Sequence, residues 1–257
     1  MKSIMFYVNK GGVGKSTLSV LFAWYLRRQN QRVLFIDFDP QASATNILQD
    51  YKASPVEYAI RTIRPAIELF TPQSRIFSSG QSATAFDLLS GKDIRTPPTD
   101  YLPFVDAIDA IPPGTYDYIV VDSQVAYGTL VEASGLFCEN ILLPYKPGKS
   151  EFDALDRTFN FVTEFNALRV NMGMRALNHC GVAVTDFDNK SQQQTYLDMA
   201  RTKYPRMLLE PELRHSNLIQ ATNNASVPPW LGLGNGQFYK NRDTILRLME
   251  EIRERIL

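Results

Sequence analysis

The chain has few of the residues that build metal and disulfide frameworks. Among 257 residues there are two cysteines, Cys138 and Cys180, and two histidines, His179 and His215. The cysteines stand far apart and in no ligand spacing. This excludes a disulfide scaffold and argues against a structural zinc site. Neither histidine has a companion in the sequence that recommends it as a ligand or a triad member. Net charge is absent too, since 27 basic side chains balance 27 acidic ones. Bulk attraction to nucleic acid or to an anionic membrane is thereby excluded, while a local basic patch stays open. No run of about 18 apolar residues occurs, so no spanning helix is expected. A glycine-rich loop begins within the first dozen residues and leaves no room for a signal peptide, so the chain reads as cytoplasmic. With 44% hydrophobic and 21% charged residues, it has the composition of a folded protein with a sizeable core.

What is present is a series of short, almost wholly apolar runs: residues 3–8, 32–37, 118–122, 140–144 and 180–185. Continuous rather than alternating hydrophobicity marks strands covered on both faces, as in parallel sheets. Helical spacing of apolar residues appears over 16–29 and 152–168, and again over 243–257. Strand and helix in alternation predict an α/β fold, a doubly wound and mostly parallel sheet flanked by helices, in one domain over 1–257. The helical patterns place Trp24, Tyr25, Phe159, Phe161 and Phe165 in the core. The two cysteines are expected to be buried fillers. Residues 51–114 carry eight prolines and read as an irregular, elaborated connection between two strands, with a possible strand at Phe86–Leu89.

Residues 9–17, Asn-Lys-Gly-Gly-Val-Gly-Lys-Ser-Thr, follow the first apolar run and open the first helix. A phosphate-binding loop requires that context. Gly11, Gly12 and Gly14 let backbone N–H groups turn inward around an anion, with Val13 between them, and the helix N-terminus adds partial positive charge. Lys15 reaches the β- and γ-phosphates, and Ser16, followed by Thr17, offers a hydroxyl to Mg²⁺. Asp37 and Asp39, two apart at the end of the second apolar run, share a side of an extended backbone. Asp122 closes a third run, the arrangement by which a buried strand delivers one carboxylate to Mg²⁺ or its waters.

The stretch Lys10 to Thr17 resembles the deviant Walker A loop of the ParA/MinD family of P-loop ATPases, whose mark is a second lysine early in the loop, here Lys10. The resemblance covers residues 1–50 and 116–155 well and 178–257 more loosely. It implies that Lys10 reaches the nucleotide of a partner in an ATP-bound homodimer, that Asp39 orients the attacking water, and that Asp37 supports the Mg²⁺ shell. Lys10, Lys15 and Asp39 are thus the expected catalytic residues. Relatives often continue with a proline pair after the Walker B aspartate, whereas Ser123-Gln124-Val125 follows Asp122 here.

The same resemblance places Lys190 and Arg214 at positions used for non-specific DNA, and Thr185, Glu212 and Leu213 near the adenine. Between residues 171 and 257 there are 11 basic and 9 acidic side chains, a surplus of two, and Lys190, Arg201, Lys203, Arg206, Arg214, Lys240 and Arg242 are the cations available for a patch. The expected partners are a second copy in the ATP state, DNA, and a ParB-like or other small adaptor on a cargo, at the nucleoid. Site-specific operator binding through an N-terminal helix-turn-helix is not expected. Two other readings of the core stay open at this point: a MinD-like membrane-cycling ATPase, and an ATP-dependent metabolic or metal-delivery enzyme. The mixed charges of residues 243–257 fit a helix docked on the protein's own core and disfavour the former.

Overall fold

The computed structural model describes residues 1–49, 58–70, 86–94, 98–188, 190–215, 227–231 and 236–257, the last with side chains from 241 onward. Seven strands form one wholly parallel sheet: β1 (Lys2–Phe6), β2 (Val33–Asp37), β3 (Thr62–Pro65), β4 (Phe86–Ser90), β5 (Tyr118–Asp122), β6 (Asn140–Tyr145) and β7 (Asn178–Val184). Their spatial order is β3-β4-β2-β5-β1-β6-β7. Helices α1 (Lys15–Arg28), α2 (Ser43–Gln49), α3 (Leu102–Asp109), α4 (Thr129–Phe137), α5 (Lys149–Asn171), α6 (Ser191–Lys203) and α7 (Gly236–Glu254) flank it.

The apolar runs owe their continuity to this double cover. Ile4, Phe6, Val33, Phe35 and Val120 pack on one face with α1 and α7, while Met5, Leu34, Ile36, Ile119 and Val121 pack on the other with α3, α4 and α5. Alternate residues thus serve opposite cores. Among the expected core aromatics, Trp24, Tyr25 and Phe165 are buried, whereas Phe159 and Phe161 are half-buried against the same core. Both cysteines are buried and free. The apolar stripe of α7, Ile245, Leu248, Met249 and Ile252, is buried, and its polar side carries the ion pairs Arg253–Glu250 and Arg255–Glu251. The expectation that this helix docks on the chain's own core holds, and no helix among the described residues is long and apolar enough to cross a membrane.

The proline-rich region is more regular than expected. Residues 50–57, 71–85 and 95–97 lie outside the described residues, but the remainder contributes β3, β4 and α3. Its prolines punctuate elements instead of preventing them. Pro65 ends the edge strand β3, where a missing N–H breaks no inner ladder, and Pro103 sits in the first turn of α3.

The order of strands fixes where a ligand sits. The chain passes from β1 over to β2, out to the edge at β3, back to β4 between β3 and β2, and then inserts β5 between β2 and β1 before crossing to β6 and β7. The direction of winding reverses about β1. In such sheets the crevice beyond the carboxyl ends of the strands at that point is the ligand site. β1, β2 and β5 deliver the glycine-rich loop, Asp37 and Asp122 there.

Candidate nucleotide and metal site

The loop between β1 and α1 has the shape of an anion cradle. Gly12 and Gly14 adopt φ of 75° and 86°, a region that strains any side chain, and no atom lies within 4 Å of where a Cβ on Gly11 or Gly12 would stand. Open space therefore stands where side chains at Gly11 and Gly12 would be. Gly14 provides no side-chain cap to α1, and the first turn of that helix carries no acidic residue, so its positive end is left for a ligand. Lys15 is 6% exposed and donates from Nζ to the Lys10 carbonyl at 2.8 Å. Burial lowers the Lys15 pKa, and Asp122 and Asp39 pull it back up.

The carboxylates split into two roles. Asp37 is buried and holds the start of α2: Oδ2 accepts the Thr45 N–H at 2.9 Å and the Thr45 hydroxyl at 2.7 Å, and Oδ1 accepts the Asp39 N–H at 3.0 Å. Burial lifts its pKa to about 6 against these donors. The assigned strand ends at Asp37, but the Phe38 N–H still donates to the Asp122 carbonyl at 2.9 Å and Phe38 packs in the same core as Leu34 and Ile36, so the alternation of the strand runs on through Phe38. Asp39 is half-buried, and its Oδ1 accepts the Gln41 N–H at 2.9 Å.

Asp122 stands opposite Asp37 in the β2–β5 register. It is fully buried, and neither carboxylate oxygen has a partner in hydrogen-bonding geometry. Burial and then the Asp37 charge raise its pKa well above the ordinary value, while the nearby Ser16 hydroxyl and the Lys15 ammonium lower it. A buried carboxylate with both oxygens orphaned beside a serine hydroxyl is the donor set a hard divalent cation accepts. The residues therefore fit Mg²⁺, with Asp122 and Ser16 as holders and Asp39 at the rim. Where relatives place prolines, Ser123 is buried and gives its hydroxyl to the Phe6 carbonyl at 2.5 Å, tying the start of this loop to β1.

The loop after β7 closes the site from the other side. The Thr185 hydroxyl donates to the Val13 carbonyl at 2.7 Å, and Thr185 lies 3.6 Å from where a Cβ on Gly14 would stand. The Leu213 N–H donates to the Val184 carbonyl at 2.9 Å, and Glu212 pairs with Arg201. The three residues expected near the base thus lie along the end of β7, with Thr185 on the loop itself.

Lys190 and Arg214 belong to neighbouring loops joined by a bridge between Phe187 and Arg214. Both are exposed. Lys190 pairs with Asp188, and Arg214 has no acidic partner among the described residues. The wider basic patch is weaker than the count of cations suggests, because Arg201, Lys203 and Arg242 also spend their charge on Asp198, Asp156 and Asp243. The side chain of Lys240 and residues 216–226, which include the end of the segment expected to touch DNA, lie outside the described residues.

Two features escaped sequence reasoning. His215 is not without a partner: its Nδ1 bonds Asp186, which also pairs with Lys146 at 2.6 Å. Those residues come from three separate segments, so no local spacing announces them. Lys10 points to Glu151 on α5, at 3.7 Å.

Comparison with known proteins agrees with this geometry. The family model of the CobQ/CobB/MinD/ParA nucleotide binding domain matches residues 4–228. A chromosome partitioning protein ParA of Myxococcus xanthus is 27% identical over 187 residues, covering 71% of this chain and 64% of that protein. The cell division protein PomZ of the same organism is 24% identical over 213 residues, 80% of this chain and again 64% of that protein. The matches thus span about two thirds of the length of these relatives. A variant of McdA from Cyanothece, solved as its ATP complex, superposes with a TM-score of 0.73 at 19% identity over 99% of this chain and 96% of that one. With the family model covering most of its length and the two-lysine loop in place at the switch point of the sheet, the chain belongs to the CobQ/CobB/MinD/ParA nucleotide-binding family, as a ParA/MinD-type P-loop protein.

Proposed function

We propose that the chain is a Mg²⁺-dependent ATPase that dimerises on ATP, binds DNA non-specifically, and segregates or positions a cargo with an adaptor that stimulates hydrolysis. The observation that carries this reading is the convergence of an open glycine cradle, two lysines and the orphaned Asp122 carboxylate at one crevice. The relatives support the same reading: one is a chromosome partitioning protein and another a cell division protein.

Each residue has a task in this reading. The loop N–H groups and the N-terminus of α1 take the phosphates. Lys15 leaves the Lys10 carbonyl for the β- and γ-phosphate oxygens, a charge-assisted contact stronger than the one it gives up. Ser16 and Asp122 hold Mg²⁺, which when bound neutralises phosphate charge. Asp39, at the rim, orients the water that attacks the γ-phosphate and takes its proton. Lys10 serves the partner's nucleotide as an arginine finger does elsewhere, so only the triphosphate state joins two copies. Arg214 and Lys190 supply phosphate contacts to DNA, doubled by dimerisation.

Size-exclusion chromatography with light scattering, in ADP and in ATP with Mg²⁺, tests the core of this. The parent becomes dimeric in ATP alone, Lys10→Ala stays monomeric, and Asp39→Ala remains dimeric because it cannot hydrolyse. A parent that stays monomeric at saturating ATP overturns the reading.

A further inference from the structure

The second lysine of the loop has an acidic neighbour within its own chain. Lys10 Nζ stands 3.7 Å from Glu151 Oε1, with the two side chains 35% and 21% exposed. Glu151 belongs to the first turn of α5, where the helix dipole favours an anion. Three and seven residues later, on the same helical face, Ala154 packs against Val8 and Val13, and the Thr158 hydroxyl accepts the Asn9 N–H at 3.3 Å. One stripe of α5 therefore grips the front half of the loop, and Glu151 is the part of that stripe that reaches a side chain.

The position of Gly148 belongs to the same device. A Cβ built on it would lie 2.5 Å from Glu151 Oε2. Its φ of −180° is extended backbone that any residue adopts, so nothing in the main chain demands glycine there. What the missing Cβ provides is room for the carboxylate to fold back toward Lys10.

We propose that Glu151 is a positioning residue for Lys10, holding the ammonium within its own protomer until nucleotide phosphates compete for it. The proposal rests on the reading of Lys10 as the group given to the partner. Its consequence is a threshold. A half-exposed ion pair of this kind biases an equilibrium by up to about fivefold, and a two-fold dimer must release two of them. Removing the contact therefore tightens ATP-dependent dimerisation by about two- to 25-fold.

Two variants reach the contact by different routes. Glu151→Gln removes the charge, and Gly148→Ala displaces the carboxylate tip while leaving it charged. Two measurements apply to both: the protein concentration at half-maximal dimer in ATP and Mg²⁺, by analytical ultracentrifugation, and the rate of reductive methylation at Lys10 without nucleotide, by peptide mass spectrometry against the other lysines of the same sample. The expected result is faster methylation of Lys10 and a lower dimerisation midpoint in both variants. Unchanged methylation and midpoint, a response confined to one variant, or weaker dimerisation overturns the role of Glu151, while an ATP-dependent dimer of the parent keeps the proposed function standing. A parent that never dimerises in ATP removes the function reading and this proposal together.

Discussion

Replacing Asp122 by asparagine separates what this carboxylate costs the fold from what it does for chemistry. The side chain is fully buried, neither oxygen has a partner, and it stands in register with the equally buried Asp37. Burial first and Asp37 second push its pKa well above the ordinary carboxylate value, against the Ser16 hydroxyl and the ammonium of Lys15. The sign follows. A carboxyl whose folded pKa is raised stabilises the fold while protonated and loses that contribution as pH climbs from the unfolded value through the folded one. At pH 8 the parent therefore carries a penalty that a neutral amide of the same shape avoids. Leaving a buried polar group unsatisfied costs about 1–3 kcal/mol, and a charged one more. For a chain of this size about 2 kcal/mol corresponds to about 4–8 °C in melting temperature. In differential scanning fluorimetry without nucleotide, Asp122→Asn should melt higher than the parent by that amount at pH 8, and the gap should narrow toward pH 5. With ATP and Mg²⁺ the order reverses, because the parent gains the stabilisation of bound ligand and the variant loses the Mg²⁺-dependent share of it, together with hydrolysis. An Asp122→Asn protein that melts below the parent without nucleotide at pH 8 refutes the reasoning, since the carboxylate would then be stabilising the empty fold.

Three further outcomes are expected. Burial lowers the His179 pKa to about 4, both ring nitrogens lack partners, and the ring stacks on Phe159 at 4.8 Å. A depressed histidine contributes stability above its unfolded pKa of 6.5 that is lost as pH falls toward 4, at most about 3 kcal/mol here; urea denaturation from pH 7.5 to 5 should show this slope in the parent and lose it in His179→Leu. Asp87, 5% exposed, receives Arg61 at two nitrogens, 3.0 and 2.5 Å, and the Tyr116 hydroxyl at 2.5 Å. Arg61→Met should destabilise by about 1–3 kcal/mol, below the range for a wholly buried pair because the arginine is partly exposed, and adding Asp87→Asn should recover part of it in a double-mutant cycle. Arg214→Glu should weaken retention on non-specific DNA in ATP and flatten its salt dependence while nucleotide affinity holds; unchanged retention removes this residue from the interface.

The strands that were legible are those in which both faces are buried. Tyr118–Asp122 and Asn140–Tyr145 read as strands because every residue in them is buried. β3 was not legible for the opposite reason: it is a four-residue edge strand with three exposed positions, Ile63 among them, so no hydrophobic pattern marks it. α6 buries only Leu197 and Ala200 of its thirteen residues, too few to set a period. α4 fails differently, with Leu130, Val131, Ala133, Ser134, Gly135 and Leu136 all buried, so its sequence is too uniformly small and apolar to show one face. The prolines of residues 51–114 misled because proline is forbidden inside elements and favoured at their ends, and composition does not tell the two apart.

The site divides along the same physical line. A phosphate loop is a local object: strand end, glycines and helix start are contiguous, so residues 9–17 carry their own geometry and the sequence suffices. The Asp37–Asp39 segment is nearly as local, but the Thr45 and Asp39 N–H groups that engage the Asp37 carboxylate are backbone donors that no side-chain pattern displays. Contacts that close the site come from far along the chain, Thr185 to Val13 and Lys10 to Glu151. Each depends on the crossover that brings β6, α5 and β7 beside β1, and only the folded sheet supplies that proximity. Lys15 is satisfied by the Lys10 carbonyl and Lys10 by Glu151, so the cations that phosphate would attract are occupied by the protein itself. Neither carboxylate oxygen of Asp122 has a hydrogen-bond partner among the described residues. In the proposed function Mg²⁺ would offset the cost of burying the Asp122 carboxylate, whereas triphosphate would have to displace the contacts that Lys15 and Lys10 already make.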